Sequence, residues 1–88
     1  MYEVIFEDPA QRQFRKLDRI IQTQILKALI KLEKNPRPSG CKKLQGLEHL
    51  YRLRIGDYRV IYRIEDNKLL VLIISLGHRR EIYKKGLL

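Results

Sequence analysis

The chain has 88 residues, of which 44% are hydrophobic, with a formal net charge of +9 and a pI near 10.0. That length bounds it to one small domain with a single core, and the apolar content excludes a disordered chain. The basic excess is concentrated in the second half, in Arg37, Lys42, Lys43, Arg52, Arg54, Arg59 and Arg63 and again in Arg79, Arg80, Lys84 and Lys85. Such clustering points to nucleic acid or another polyanion as partner.

Tyr2 to Phe6 reads as a short strand, and Asp8-Pro9 as a helix start, because a carboxylate accepts from free N–H groups and proline suits the first helical position. Ala10, Phe14 and Leu17 recur at helical spacing. Asp18 can cap a second helix, whose stripe is Ile21, Ile25, Leu29 and Leu32 and which Asn35-Pro36 ends. Neither helix can bury its stripe alone, so the pair is expected to lie as a helical hairpin on a sheet. Charges on the helices, such as Arg12, Arg15, Lys27 and Lys31, read as a solvated face.

The Pro-, Gly-, Ser- and Lys-rich segment from Pro36 to Gly46 reads as a loop tied down at Leu44 and Leu47. Two strands follow, separated only by Gly56-Asp57, a usable hairpin connection. Closing that turn pairs Ile55 with Tyr58 and Arg54 with Arg59. Arg52, Arg54, Arg59 and Arg63 then share one face with Ile61, while Tyr58, Val60, Tyr62 and Ile64 join the apolar side. Like charges directly opposite weaken a sheet, so these arginines are expected to serve an anionic ligand.

A second turn at Asp66-Asn67 leads into Lys68–Leu76, apolar on both faces, as a central strand is. With Arg63 opposite Leu70, simple alternation brings His78 to the arginine side. The expected class is α+β, with two N-terminal helices on one face of a mostly antiparallel four-stranded sheet and the other face partly basic. The whole of 1–88 is expected to be one domain.

The only cysteine, Cys41, has no intrachain partner, and no Cys/His cluster suggests a metal. No cofactor is expected. The N-terminus lacks the basic start and apolar core of a signal peptide, and the longest apolar run, Leu69–Ile74, is too short to span a bilayer. No membrane partner is expected, and the cytoplasm is the expected location. Guanidinium groups hold phosphate oxygens bidentately and stabilise added charge on phosphorus. His78 is the patch candidate whose ordinary pKa lies near neutrality.

The run GDYRVIY, an apolar strand, then LGHRREIY, preceded by KLQG and YRLR, resembles the RelE toxins of bacterial and archaeal toxin–antitoxin systems, within the RelE/ParE superfamily. The resemblance spans nearly the whole chain and implies an architecture similar to microbial ribonucleases. It implies a metal-independent endoribonuclease that cuts messenger RNA in the ribosomal A site, with the ribosome, mRNA and a RelB-like antitoxin as partners. The 2′-hydroxyl attacks the adjacent phosphate, leaving a 2′,3′-cyclic phosphate and a 5′-hydroxyl.

Carried onto this chain, the resemblance gives Arg52 and Arg54 the two basic positions of the strand before the turn. It makes Arg59 the brace of the scissile phosphate, Arg79 the group at the leaving oxygen, and Tyr83 the aromatic that orients substrate. Lys42, Lys43, Arg63, Arg80 and Lys84 are expected to hold RNA. The best-known members have lysines where Arg52 and Arg54 stand, and arginine is a poor proton acceptor. Either His78 or the ribosomal RNA environment takes the proton, or cleavage is weak. A ParE-like inhibitor of DNA gyrase and a non-catalytic RNA-binding module are the alternatives.

Overall fold

The computed structural model describes residues 1–47 and 49–84, with the side chains of Tyr83 and Lys84 outside the described ones. Strand β1 (Glu3–Phe6) leads into α1 (Asp8–Arg15) and α2 (Arg19–Lys34). Then come β2 (Cys41–Lys43), β3 (Leu50–Ile55), β4 (Tyr58–Glu65), β5 (Leu70–His78) and a short helix α3 (Arg79–Lys84).

The helix ends follow local chemistry. Asp18 caps α2 by accepting from the Ile21 amide at 3.0 Å, and Asn35 ends it ahead of Pro36. For α1 the cap position is Glu7, one residue before the expected Asp8, and Glu7 makes no side-chain capping bond. Asp8 instead lies in the first turn, where its charge opposes the helix dipole.

The sheet has five strands in the order β1-β5-β4-β3-β2. The expectation of four fell short because Cys41–Lys43, read as loop, adds as a short edge strand against Tyr51–Leu53. Only β1 and β5 run parallel; the other pairings are antiparallel. The α+β class and the mostly antiparallel sheet are as expected.

Ala10, Ile25, Leu29 and Leu32 from the helices pack on Leu53, Val60, Tyr62, Ile64, Val71, Ile73 and Leu76. These apolar groups close one face of the sheet. Burying a Leu or Ile side chain contributes about 1.5–3 kcal/mol, so this cluster is the main favourable term. Tyr62 is fully buried, and its hydroxyl donates to the Pro36 carbonyl at 2.9 Å. No helix among the described residues is long and apolar enough to cross a membrane.

Two details of β5 decide what lies where. The connection from β4 is longer than a two-residue turn: Asp66–Lys68 form a 3-10 turn and Leu69 takes a left-handed φ of 52°. Glu65 therefore pairs with Leu70, and Arg63 with Leu72 rather than with the expected Leu70. That shift of two keeps every side chain on its expected face. The second detail does not: between Ile61 and Tyr62 the register slips by one, with Tyr62 opposite Ile73 and Ile61 opposite Ser75. Ile74 is the extra residue of a β-bulge, and everything after it changes sides.

Candidate nucleic-acid interface

The hairpin forms the predicted pairs. Gly56 holds a φ of 59° at the first turn position, as a type II′ turn requires. Ile55 pairs with Tyr58, Arg54 with Arg59, Leu53 with Val60 and Arg52 with Ile61. Directly opposite residues share a face. Arg52, Arg54, Arg59 and Arg63 therefore stand on the side away from α1 and α2, as read from the sequence. Lys42 pairs with Arg52 and extends this row onto β2. Lys43, also expected to hold RNA, pairs with Tyr51 and so belongs to the opposite face.

Arg59 is the unusual member. It is 5% exposed, yet no carboxylate pairs with it among the described residues. One terminal nitrogen donates to the Gly56 and Tyr58 carbonyls at 2.9 and 3.0 Å. Those bonds tie its head to the hairpin turn and use two of the five donors of a guanidinium. The other donors remain for an anion. Arg52 is half-buried, and Arg54 and Arg63 are exposed.

Short helix α3 sits on the same side of the sheet. Ile82 is buried against Gly77, where a Cβ would meet it at 3.8 Å, and Gly77 is the residue opposite Arg59. Ile61 and Ile82, both buried, lie outside the main core cluster. The Arg79 amide donates to the Asp57 carbonyl at 2.8 Å, which brings the start of α3 against the hairpin turn. Arg79 and Arg80 are both exposed there. Tyr83 and Lys84 fall in α3, but their side chains lie outside the described residues.

His78 is not where alternation put it. Downstream of the Ile74 bulge it pairs with Tyr58, on the helix side of the sheet, and Gly77 takes the arginine side. Its ring meets that of Tyr58 edge-on, with centroids 5.5 Å apart. The sequence carried no sign of this, because a continuous apolar run gives no alternation to count.

The ion pairs found among the described residues lie at the far end of β4. Arg37 donates to both oxygens of Asp66, at 3.2 and 2.8 Å, and Lys68 reaches Glu65 at 3.7 Å. The Tyr2 hydroxyl also donates to Asp66 at 2.6 Å. The Arg37 hydrogen bond, then the Tyr2 one, holds the Asp66 carboxyl down at about 2. These acids neutralise their own neighbours and leave the arginine face positive. Sequence reading misses a further basic rim: Arg54 also borders a cleft between α2 and β3 with Lys27 and Lys31, which helical spacing alone leaves on a solvated face.

An arginine surface on one side of a helix-covered sheet, whose arginines make no ion pair among the described residues, is chemistry for a ribose-phosphate chain. The family described as "ParE toxin of type II toxin-antitoxin system, parDE" matches residues 4–83. The chain belongs to the RelE/ParE toxin family. It is 33% identical to the mRNA interferase toxin RelE of Escherichia coli, over 97% of this chain and 93% of that protein. The isolated E. coli RelE toxin superposes with a TM-score of 0.80 at 30% identity, covering 99% of this chain and 96% of that one. The toxin in the archaeal RelE–RelB complex from Pyrococcus horikoshii gives 0.79 at 30% identity, over 89% and 94% of the two chains.

Proposed function

We propose that residues 1–88 form one toxin domain that acts as a ribosome-dependent endoribonuclease and is held in check by a RelB-like antitoxin. What carries this reading is Arg52, Arg54 and Arg59 on a common surface with no carboxylate paired to them among the described residues. Its support from relatives is a full-length likeness to a protein named mRNA interferase and to toxins solved with RelB.

In the proposed reaction the 2′-oxygen loses its proton and bonds to the adjacent phosphorus. The P–O5′ bond then breaks, and O5′ leaves as a hydroxyl after taking up a proton. Arg59 is pinned by the turn carbonyls and braces the phosphate, while Arg52 and Arg54 neutralise the charge that builds on its oxygens. Arg79 at the start of α3 serves the leaving oxygen, and Tyr83 orients the substrate, both assigned by resemblance. Charge stabilisation by guanidinium groups needs no metal. His78 faces away from this row, so the proton acceptor is sought in the ribosomal RNA environment and not in its imidazole. Lys42, Arg63, Arg80 and Lys84 hold the RNA, with the cytoplasm, where ribosomes translate, as the site of action.

Induction in a bacterial host tests this. The expected result is growth arrest relieved by the cognate antitoxin, with new 5′ ends inside translated messages. The matched family carries the ParE description, and its alternative outcome is distinct: DNA breaks and an SOS response with intact messages. Salt-sensitive RNA binding without new ends would mark a plain RNA-binding module.

A further inference from the structure

His78 and Tyr58 do not simply fill the core. They line a cleft of about 320 Å³ at the β5 edge, between the end of α1 and the start of α3, with Gln13, Lys16, Gly77 and Glu81. That volume lies at the small end of ordinary ligand clefts, about 300–1,000 Å³. We propose that this cleft is a nucleobase subsite next to the cleavage position, in which Tyr58 and His78 supply the aromatic wall and Gln13 and Lys16 select what enters. The inference rests on the ribonuclease reading and adds to it a determinant of sequence preference.

The site is made by β1 stopping early. Phe6 is its last residue, paired with Ile73, and beyond it the β5 edge is open. There α1 takes over: the Gln13 side-chain oxygen accepts from the Leu76 amide at 2.9 Å and from the Ser75 hydroxyl at 3.3 Å. The carboxamide is thereby fixed with its oxygen toward the strand, leaving its NH₂ group to donate to a carbonyl or ring nitrogen of a base.

The aromatic pair is equally prepared. The two rings meet edge to face at an interplanar angle of 77°, and both are half-buried along the cleft. The Arg80 amide donates to His78 Nδ1 at 3.2 Å, so a neutral ring carries its proton on Nε2, as a donor. Lys16 is exposed on the cleft's rim, where its ammonium can meet a phosphate. Aromatic platforms with polar edges and a nearby cation are how proteins take unstacked RNA bases.

Geometry ties the cleft to the cutting surface. Tyr58 and Arg59 are consecutive in β4, about 3.3 Å apart along it, and point to opposite faces. Gly77, opposite Arg59, also lines the cleft. The phosphate grip and the base cleft therefore back onto each other at one end of the sheet, on the two sides of the Arg59–Gly77 pair.

The test titrates ¹⁵N-labelled full-length protein with non-cleavable 2′-O-methyl trinucleotides and maps cleavage sites on a translated message. Wild type is compared with Lys16→Ala and Tyr58→Leu, and thermal unfolding is followed in parallel. Amide shifts at Gln13, Leu17, Tyr58 and His78 that depend on the base are expected, with binding roughly tenfold weaker in Tyr58→Leu. Both variants should redistribute cleavage among sequence contexts. Shifts confined to the arginine row of Arg52, Arg54, Arg59 and Arg63 whatever the base, together with a wild-type cleavage map for Lys16→Ala, overturn the subsite. If wild type cuts nothing, the ribonuclease reading fails and the titration alone decides whether the cleft takes a base. Lys16 is exposed, so its variant keeps the decision open if Tyr58→Leu unfolds.

Discussion

Arg54 and Arg59 face each other directly across β3 and β4, beside the turn that joins these strands. Opposed like charges, with Cβ atoms about 4.5–5.5 Å apart, cost a sheet stability rather than adding to it. A phosphate placed between them turns the repulsion into binding.

Arg54→Ala should accordingly raise stability while lowering activity. Relief of the cross-strand repulsion is worth about 0.2–1 kcal/mol, read as a higher denaturation midpoint with an unchanged m-value. Cleavage of a translated message should fall in the same variant. A variant that is both less stable and fully active would show that Arg54 serves the fold.

The register also predicts which lysine matters. Lys42 sits in the arginine row, whereas Lys43 lies on the other face. In single-stranded RNA binding, each phosphate contact adds about 0.7 to the slope of log K against log salt. Lys42→Ala and Arg63→Ala should each reduce the slope by roughly that amount. Lys43→Ala should leave it at the wild-type value, and a reduced slope there would put a phosphate beside Lys43 on the opposite face of β2.

Far from the arginine row, Asp66 sets an acid limit on stability. Arg37 and Tyr2 hold its folded pKa near 2, below an ordinary value of 3.8. A group with a depressed folded pKa stabilises fully above its unfolded pKa, and that stabilisation is lost as pH falls through the folded one. The contribution should be complete at neutral pH and disappear between about 4 and 2. Melting temperatures of wild type and Asp66→Asn should differ at pH 6 and converge toward pH 2; a constant gap would rule this out.

Most of the site was legible in the sequence because it lies in a hairpin. Gly56-Asp57 fixes the turn and the alternation on either side fixes the register, so the Arg54–Arg59 pair follows from counting. The α2 boundaries were equally plain, since Asp18 and Asn35-Pro36 are explicit signals. Illegible parts share a physical cause, which is the lack of local pattern. Cys41–Lys43 is too short to alternate, and its strand character comes from pairing with β3. The short helix α3 is mostly charged and docks through Ile82 on Gly77. The Ile74 bulge hides inside a run apolar on both faces, and it alone moved His78 from the arginine side to the cleft beside α1.

In the proposed reaction guanidinium groups on this surface do the cutting, and Arg59 carries the heaviest share. Primer extension on a message translated with wild type or with Arg59→Ala tests it, alongside thermal unfolding to show that the variant is folded. Loss of a preorganised charge-stabilising donor typically costs about 10²–10³ in rate, so the cleavage bands should all but vanish from a folded Arg59→Ala protein. Bands of wild-type strength from that protein would remove Arg59 from the chemistry.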